Sequence, residues 1–118
     1  MKPYTPHEFK VVYVRECEPM TEALDQPELV AAYWRQNMPQ ADWYDPAKEA
    51  LVVLVLNTRR RIIGHNLVSL GSLDTCSFHA REIFRPAIVA AGSAVVLVHN
   101  LCVAAHKLCY VEFGLMCS

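Results

Sequence analysis

Glycine is scarce in this chain, and that scarcity excludes the nucleotide-binding loops first. Only four glycines occur in 118 residues, and no two of them form the Gly-rich pattern that cradles a phosphate. Charge imbalance is equally lacking. Eleven Lys and Arg stand against twelve Asp and Glu, a net charge of -1, so no global field draws the chain to nucleic acid or to an anionic membrane. No uninterrupted apolar run reaches the roughly 20 residues needed to cross a bilayer. The opening Met-Lys-Pro-Tyr-Thr-Pro-His-Glu-Phe carries no apolar core of a secretory signal. The five cysteines are an odd set: Cys17 and Cys76 are isolated, while Cys102, Cys109 and Cys117 crowd the end. Without a signal, such a set argues against a disulfide framework. The expectation is a cytoplasmic protein with no membrane segment and no support for a nucleic-acid partner.

What is present is enough apolar material for one core: 53% of residues are hydrophobic and 19% charged, the balance of an ordinary folded domain. Ala94-Val95-Val96-Leu97-Val98-His99-Asn100 predicts a strand covered on both faces, because its apolar run does not alternate. It delivers His99 to the rim of the core. Two readings of His99 stand: a metal ligand or base held on a stiff strand end, or a histidine that caps the strand and bonds a loop carbonyl. Glu49-Ala50-Leu51-Val52-Val53-Leu54-Val55-Leu56-Asn57 is the most hydrophobic run and predicts a second strand buried on both sides. Asn57 to Arg61 predicts a turn, with Ile62 to Leu70 returning as a hairpin that Gly71-Ser72 breaks. Arg59, Arg60 and Arg61 ordinarily make a solvated tip that discourages edge pairing, with a phosphate contact as the alternative. His65 falls on an exposed strand in this reading.

Glu8 to Arg15 is β-branched and aromatic, with Phe9, Val11 and Tyr13 on one parity, and predicts an edge strand. Pro27 suits the first position of a helix over 27–37, whose Leu29, Val30, Tyr33 and Trp34 face inward and which Pro39 ends. A second helix is expected over 79–91, with Ile83, Phe84, Ala87, Ile88 and Ala91 as its apolar stripe. Pro86 is expected to kink it, and Gly92 stands where a C-terminal cap belongs. His79, Arg81 and Glu82 suit its first turn. The order strand, helix, strand, strand, helix, strand predicts an α/β or α+β domain with a mixed central sheet flanked by helices.

Four pieces in this order carry a resemblance: Glu49 leading a buried strand that ends Leu-Asn-Thr-Arg-Arg-Arg; Val-Ser-Leu-Gly-Ser-Leu-Asp-Thr; His-Ala-Arg-Glu-Ile-Phe-Arg-Pro-Ala; and Ala-Val-Val-Leu-Val-His-Asn. Together they resemble the RadC family of JAB/MPN domains, also called JAMM domains and historically labelled DNA repair proteins. The likeness covers residues 45–100. Residues 1–44 resemble a lead-in strand and helix of short stand-alone members, and residues 101–118 form a non-homologous tail. The resemblance implies a cytidine-deaminase-like MPN core and a zinc-dependent hydrolase of metallopeptidase type. It makes Glu49 the general base and His99 the first zinc ligand. Zinc held by three protein groups leaves its fourth position to a water whose pKa falls to about 7.

The chain then departs from that pattern. Relatives continue His-Asn-His-Pro-Ser-Gly, but Leu101 follows Asn100, and no Asp occurs after Asp74. The second His, the Ser and the Asp of the family's motif have no counterpart, so this copy is expected to be inactive and to hold no stable zinc. The abrupt change suggests an interrupted reading frame. A helical tail would instead align His99, Cys102, His106 and Cys109 as one stripe, a reading that conflicts with His99 ending a strand. Three functional expectations follow: a damaged metallohydrolase, a metal-free binding or scaffold module that forms homo-oligomers, or a fragment that leaves the Val95–Val98 strand exposed.

Overall fold

A computed structural model describes residues 4–71 and 80–100 in full and 108–114 as backbone. The element order is α1 (Pro27–Asn37), a 3-10 turn (Met38–Gln40), β1 (Glu49–Leu56), β2 (Ile62–Gly71), α2 (Ala80–Val89), β3 (Ala94–Asn100) and β4 (Leu108–Gly114). The strands form one sheet in the order β2-β1-β3-β4. It is a small α+β domain.

The two apolar runs behave as their composition demands. From Ala50 to Leu56 every residue of β1 is buried, because one strand face meets α1 and the other α2. Ala50, Val52, Leu54 and Leu56 join Ala94, Val96 and Val98 beneath Val30, Tyr33, Trp34 and Met38. The alternate residues Val53, Val55 and Val95 pack against Ile83 and Ala87 of α2. β3 is therefore not a bare strand: Val95, Val96 and Val98 are at most 1% exposed, and the exposed face expected of a fragment is absent among them.

Several expectations are corrected. All described strand pairs are antiparallel, where a mixed sheet was expected. The β2-α2-β3 connection does join two parallel strands, but β1 lies between them and takes the hydrogen bonds of both. Glu8 to Arg15 forms no strand: β propensity is realised only through pairing and packing partners, and in the single chain the segment pairs with none. The sheet does not end with β3, since β4 pairs with it in register from Asn100–Leu108 to Ala94–Gly114. With Cys109 in that strand, His99 and Cys109 do not belong to a helical stripe. α1 does end at Asn37 as expected, and Pro39 sits in the 3-10 turn that follows it.

The hairpin tip follows from Asn57, whose side-chain oxygen accepts from the Arg59 and Arg61 amides at 2.9 and 3.0 Å. At the end of α2 the left-handed residue is Ala91, φ 56°, rather than Gly92. The Gly92 amide donates to the Ala87 carbonyl at 2.8 Å and the Ala91 amide to Ile88 at 3.1 Å, the paired bonds that close a helix C-terminus. Gly92 is needed for a different reason. A Cβ built there overlaps Val55 Cγ1 and sits 3.4 Å from the Leu56 carbonyl, so this turn lies directly on β1. Pro86 lies within α2. His79, Cys76 and Asp74 fall outside the described residues.

Candidate metal centre

Glu49 opens β1, and His99 is last but one in β3. Leu51 is the register partner of His99. Side chains alternate along a strand, so Glu49, two residues before Leu51, shares the face of His99, the face that packs on α2. In a regular ladder such diagonal neighbours lie about 7–8 Å apart. Both residues are half-buried. β2 ends at the same end of the sheet, with Gly71 opposite Glu49.

Asn100 fixes the chain at that end. Its Oδ1 accepts from the Ala50 amide at 2.6 Å and its Nδ2 donates to the Lys48 carbonyl at 3.3 Å. One side chain thus grips the backbone on both sides of Glu49. The sequence alone gives Asn100 no role, yet it stands where the regular β1–β3 ladder stops, and its amide replaces ladder bonds.

His99 is oriented but unsatisfied. Its Nδ1 is buried and has no hydrogen-bond partner among the described residues, a situation that costs about 1–3 kcal/mol. Replacing the ring by an apolar side chain of similar bulk removes that penalty. His99→Leu is therefore expected to raise the unfolding free energy by about 1 kcal/mol in urea denaturation. A loss of stability of that size instead would show that the imidazole has a partner in solution.

The other histidine in the described sheet lies on the opposite face. His65 pairs with Leu54 and so faces α1, where its Nδ1 lies 2.7 Å from the Tyr33 hydroxyl, the two rings meeting edge to face. It is not on an exposed strand, as the sequence suggested. Burial first, and then the Arg15 charge, depress its pKa to about 4; burial and the neighbouring Cys17 raise that of Tyr33. With Nε2 carrying the proton, the hydroxyl donates to Nδ1. The folded state favours neutral His65, so its contribution is complete above the unfolded pKa near 6.5 and disappears as pH falls towards 4. Because the ring is partly solvated, the expected loss across that window is about 1–2 kcal/mol. Urea melts at pH 7 and pH 4.5 are expected to differ less in His65→Gln by that amount; equal pH dependence in both proteins would contradict it.

Among the described residues no three His, Cys, Asp or Glu side chains come together as metal donors. A family model described as the RadC-like JAB domain matches residues 24–105. The chain belongs to the RadC-like JAB domain family. Relatives include a UPF0758 protein of Pelodictyon phaeoclathratiforme, 48% identical over 56 residues, which are 48% of this chain and 25% of that protein. A UPF0758 protein of Chlorobaculum parvum is 46% identical over the same shares. One from Thermotoga maritima is 36% identical over 86 residues, 73% of this chain and 36% of its own length. The chain thus spans about a quarter to a third of these relatives.

JAB membership implies zinc, and the donors can be tested against it. The buried, unsatisfied His99 nitrogen and the Glu49 carboxylate on one face suit one end of such a site. A hydrolytic zinc ion takes three protein ligands and keeps one position for water. One imidazole and one carboxylate do not make that set, and the residue two beyond His99 is Leu101. The described residues do not fit a hydrolytic zinc ion.

Proposed function

We propose that this chain is a RadC-like JAB/MPN domain, of zinc metallopeptidase type by family, in which the hydrolytic site is left incomplete, and that it serves as a metal-free binding or scaffold module. The donor set carries this reading. Glu49 and His99 share a face of the sheet, but Leu101 cannot ligate and no Asp follows Asp74. Glu49, the base by family resemblance, then has no metal-bound water from which to take a proton. What remains is a rigid sheet with a helix on each side, the kind of scaffold that binds without reacting.

The departure from the family's pattern begins immediately after Asn100, which also favours an interrupted coding frame. Genomic DNA carrying His-Pro-Ser-Gly in another frame beyond the His99 codon supports interruption; the same tail on an independently expressed relative opposes it. Catalysis is tested by incubating the protein with zinc and a panel of peptides beside Glu49→Ala. The expected result is no hydrolysis above background by either. Turnover by the native chain that Glu49→Ala abolishes would overturn the proposal.

A further inference from the structure

We propose that residues 8–15 form an exchange arm, adding as an edge strand to β2 of a second copy of this chain. The segment has a strand's sequence and, in the single chain, pairs with no strand. Phe9 and Tyr13 are 92% and 93% exposed, and Val11, Val12 and Val14 are exposed with them. These residues alternate on both parities, as in a strand covered on two faces. Pro6, which has no amide to donate, sets a limit just before the segment.

The arm is tethered at its C-terminal end. Arg15 Nη2 donates to the Asn37 carbonyl at 2.7 Å, and the Glu18 amide donates to Asn37 Oδ1 at 2.8 Å. Further along, the Leu24 amide donates to the Arg60 carbonyl at 2.8 Å, at the turn leading into β2. The tether holds the arm's root beside the α1 face while residues 8–14 remain in solvent.

The complementary surface is on the same chain. β2 is the last strand of the sheet, so one row of its backbone groups pairs with no strand among the described residues. Edges of this kind are normally protected by charge, but Ile62 to Gly71 contains no Lys, Arg, Asp or Glu, and Ile63 and Leu70 are exposed on it. The lengths match: eight arm residues extend about 26 Å and ten β2 residues about 33 Å. Phe9 and Tyr13 can each bury about 150–250 Å². Two exchanged arms, with their valines, therefore reach the roughly 1,200–2,000 Å² of a stable interface. Reciprocal exchange gives a closed two-fold dimer, because each copy offers both parts. This assembly does not depend on whether zinc is bound.

Sedimentation equilibrium of the native chain is expected to give twice the chain mass. Val12→Pro, which removes an arm amide at an exposed position, and Ile63→Lys, which charges the β2 edge, are each expected to return it to the single-chain mass. Both variants are expected to keep a single cooperative urea unfolding transition, which separates lost pairing from lost folding. A native chain that sediments as a monomer overturns the proposal, as does a dimer that survives either substitution. A third variant, Ile88→Lys on the exposed surface of α2, is expected to leave the dimer intact; dissociation by it alone would place the interface elsewhere and also overturn the proposal.

Discussion

Asn37→Ala is expected to lower the unfolding free energy by about 2 kcal/mol and to release the segment before α1. Asn37 is the only polar side chain fully buried among the described residues, and both ends of its amide are occupied. Nδ2 donates to the Tyr33 carbonyl one turn back at 3.1 Å, and Oδ1 receives the Glu18 amide. Truncation leaves the Glu18 amide without its acceptor, and an unmet donor costs more than the bond contributed. The Arg15 bond goes to the backbone carbonyl of residue 37 and survives any substitution there. Loss is therefore expected to be local as well as global. Hydrogen exchange at Glu18 should accelerate far more than exchange in β1, and limited proteolysis should cut between Arg15 and Leu24. Equal protection of Glu18 in both proteins would show that the tether does not depend on this amide.

Gly92→Ala is expected to cost about 1–3 kcal/mol, the range for forcing an extra carbon into a packed interior. The new methyl collides with Val55 Cγ1, a core side chain on β1 that touches α2 residues. The turn cannot retreat freely, because the Ser93 amide bonds the Leu56 carbonyl at 2.8 Å and Gly92 closes the helix end. Val55→Ala removes the colliding atoms. In a double-mutant cycle the pair is expected to be less harmful than the sum of the single changes by about 1 kcal/mol, well beyond the scatter of independent sites. Strict additivity would show that the collision is relieved by backbone movement rather than by the Val55 side chain.

Much of this fold is legible in the sequence. β1 and β3 announce themselves because an unbroken aliphatic run bounded by polar residues has one economical use, a strand between two layers. α1 follows from Pro27 and the helical spacing of Val30, Tyr33 and Trp34. The rest depends on partners that sequence does not name. Glu8 to Arg15 looks like a strand by composition but meets no strand in the single chain. His65 looked exposed because its face is decided by register against Leu54, which depends on the bulges in the hairpin. The sequence points to the glycine for the left-handed position after α2, whereas the helix ends early, at Val89, so that Ala91 takes it and Gly92 makes room for Val55. The candidate site was half legible. Glu49 and His99 were named from resemblance, and the ladder puts them on one face. Asn100 as a backbone clamp was not foreseen, since its role appears only once Lys48 and Ala50 are brought opposite it.

The decisive measurement is zinc bound per chain, by elemental analysis after loading the folded protein with zinc and removing excess by gel filtration. The account predicts a ratio far below one, unchanged in His99→Ala. A ratio near one that falls in His99→Ala would mean that this chain completes a metal site around His99, and would contradict the proposed loss of hydrolytic function.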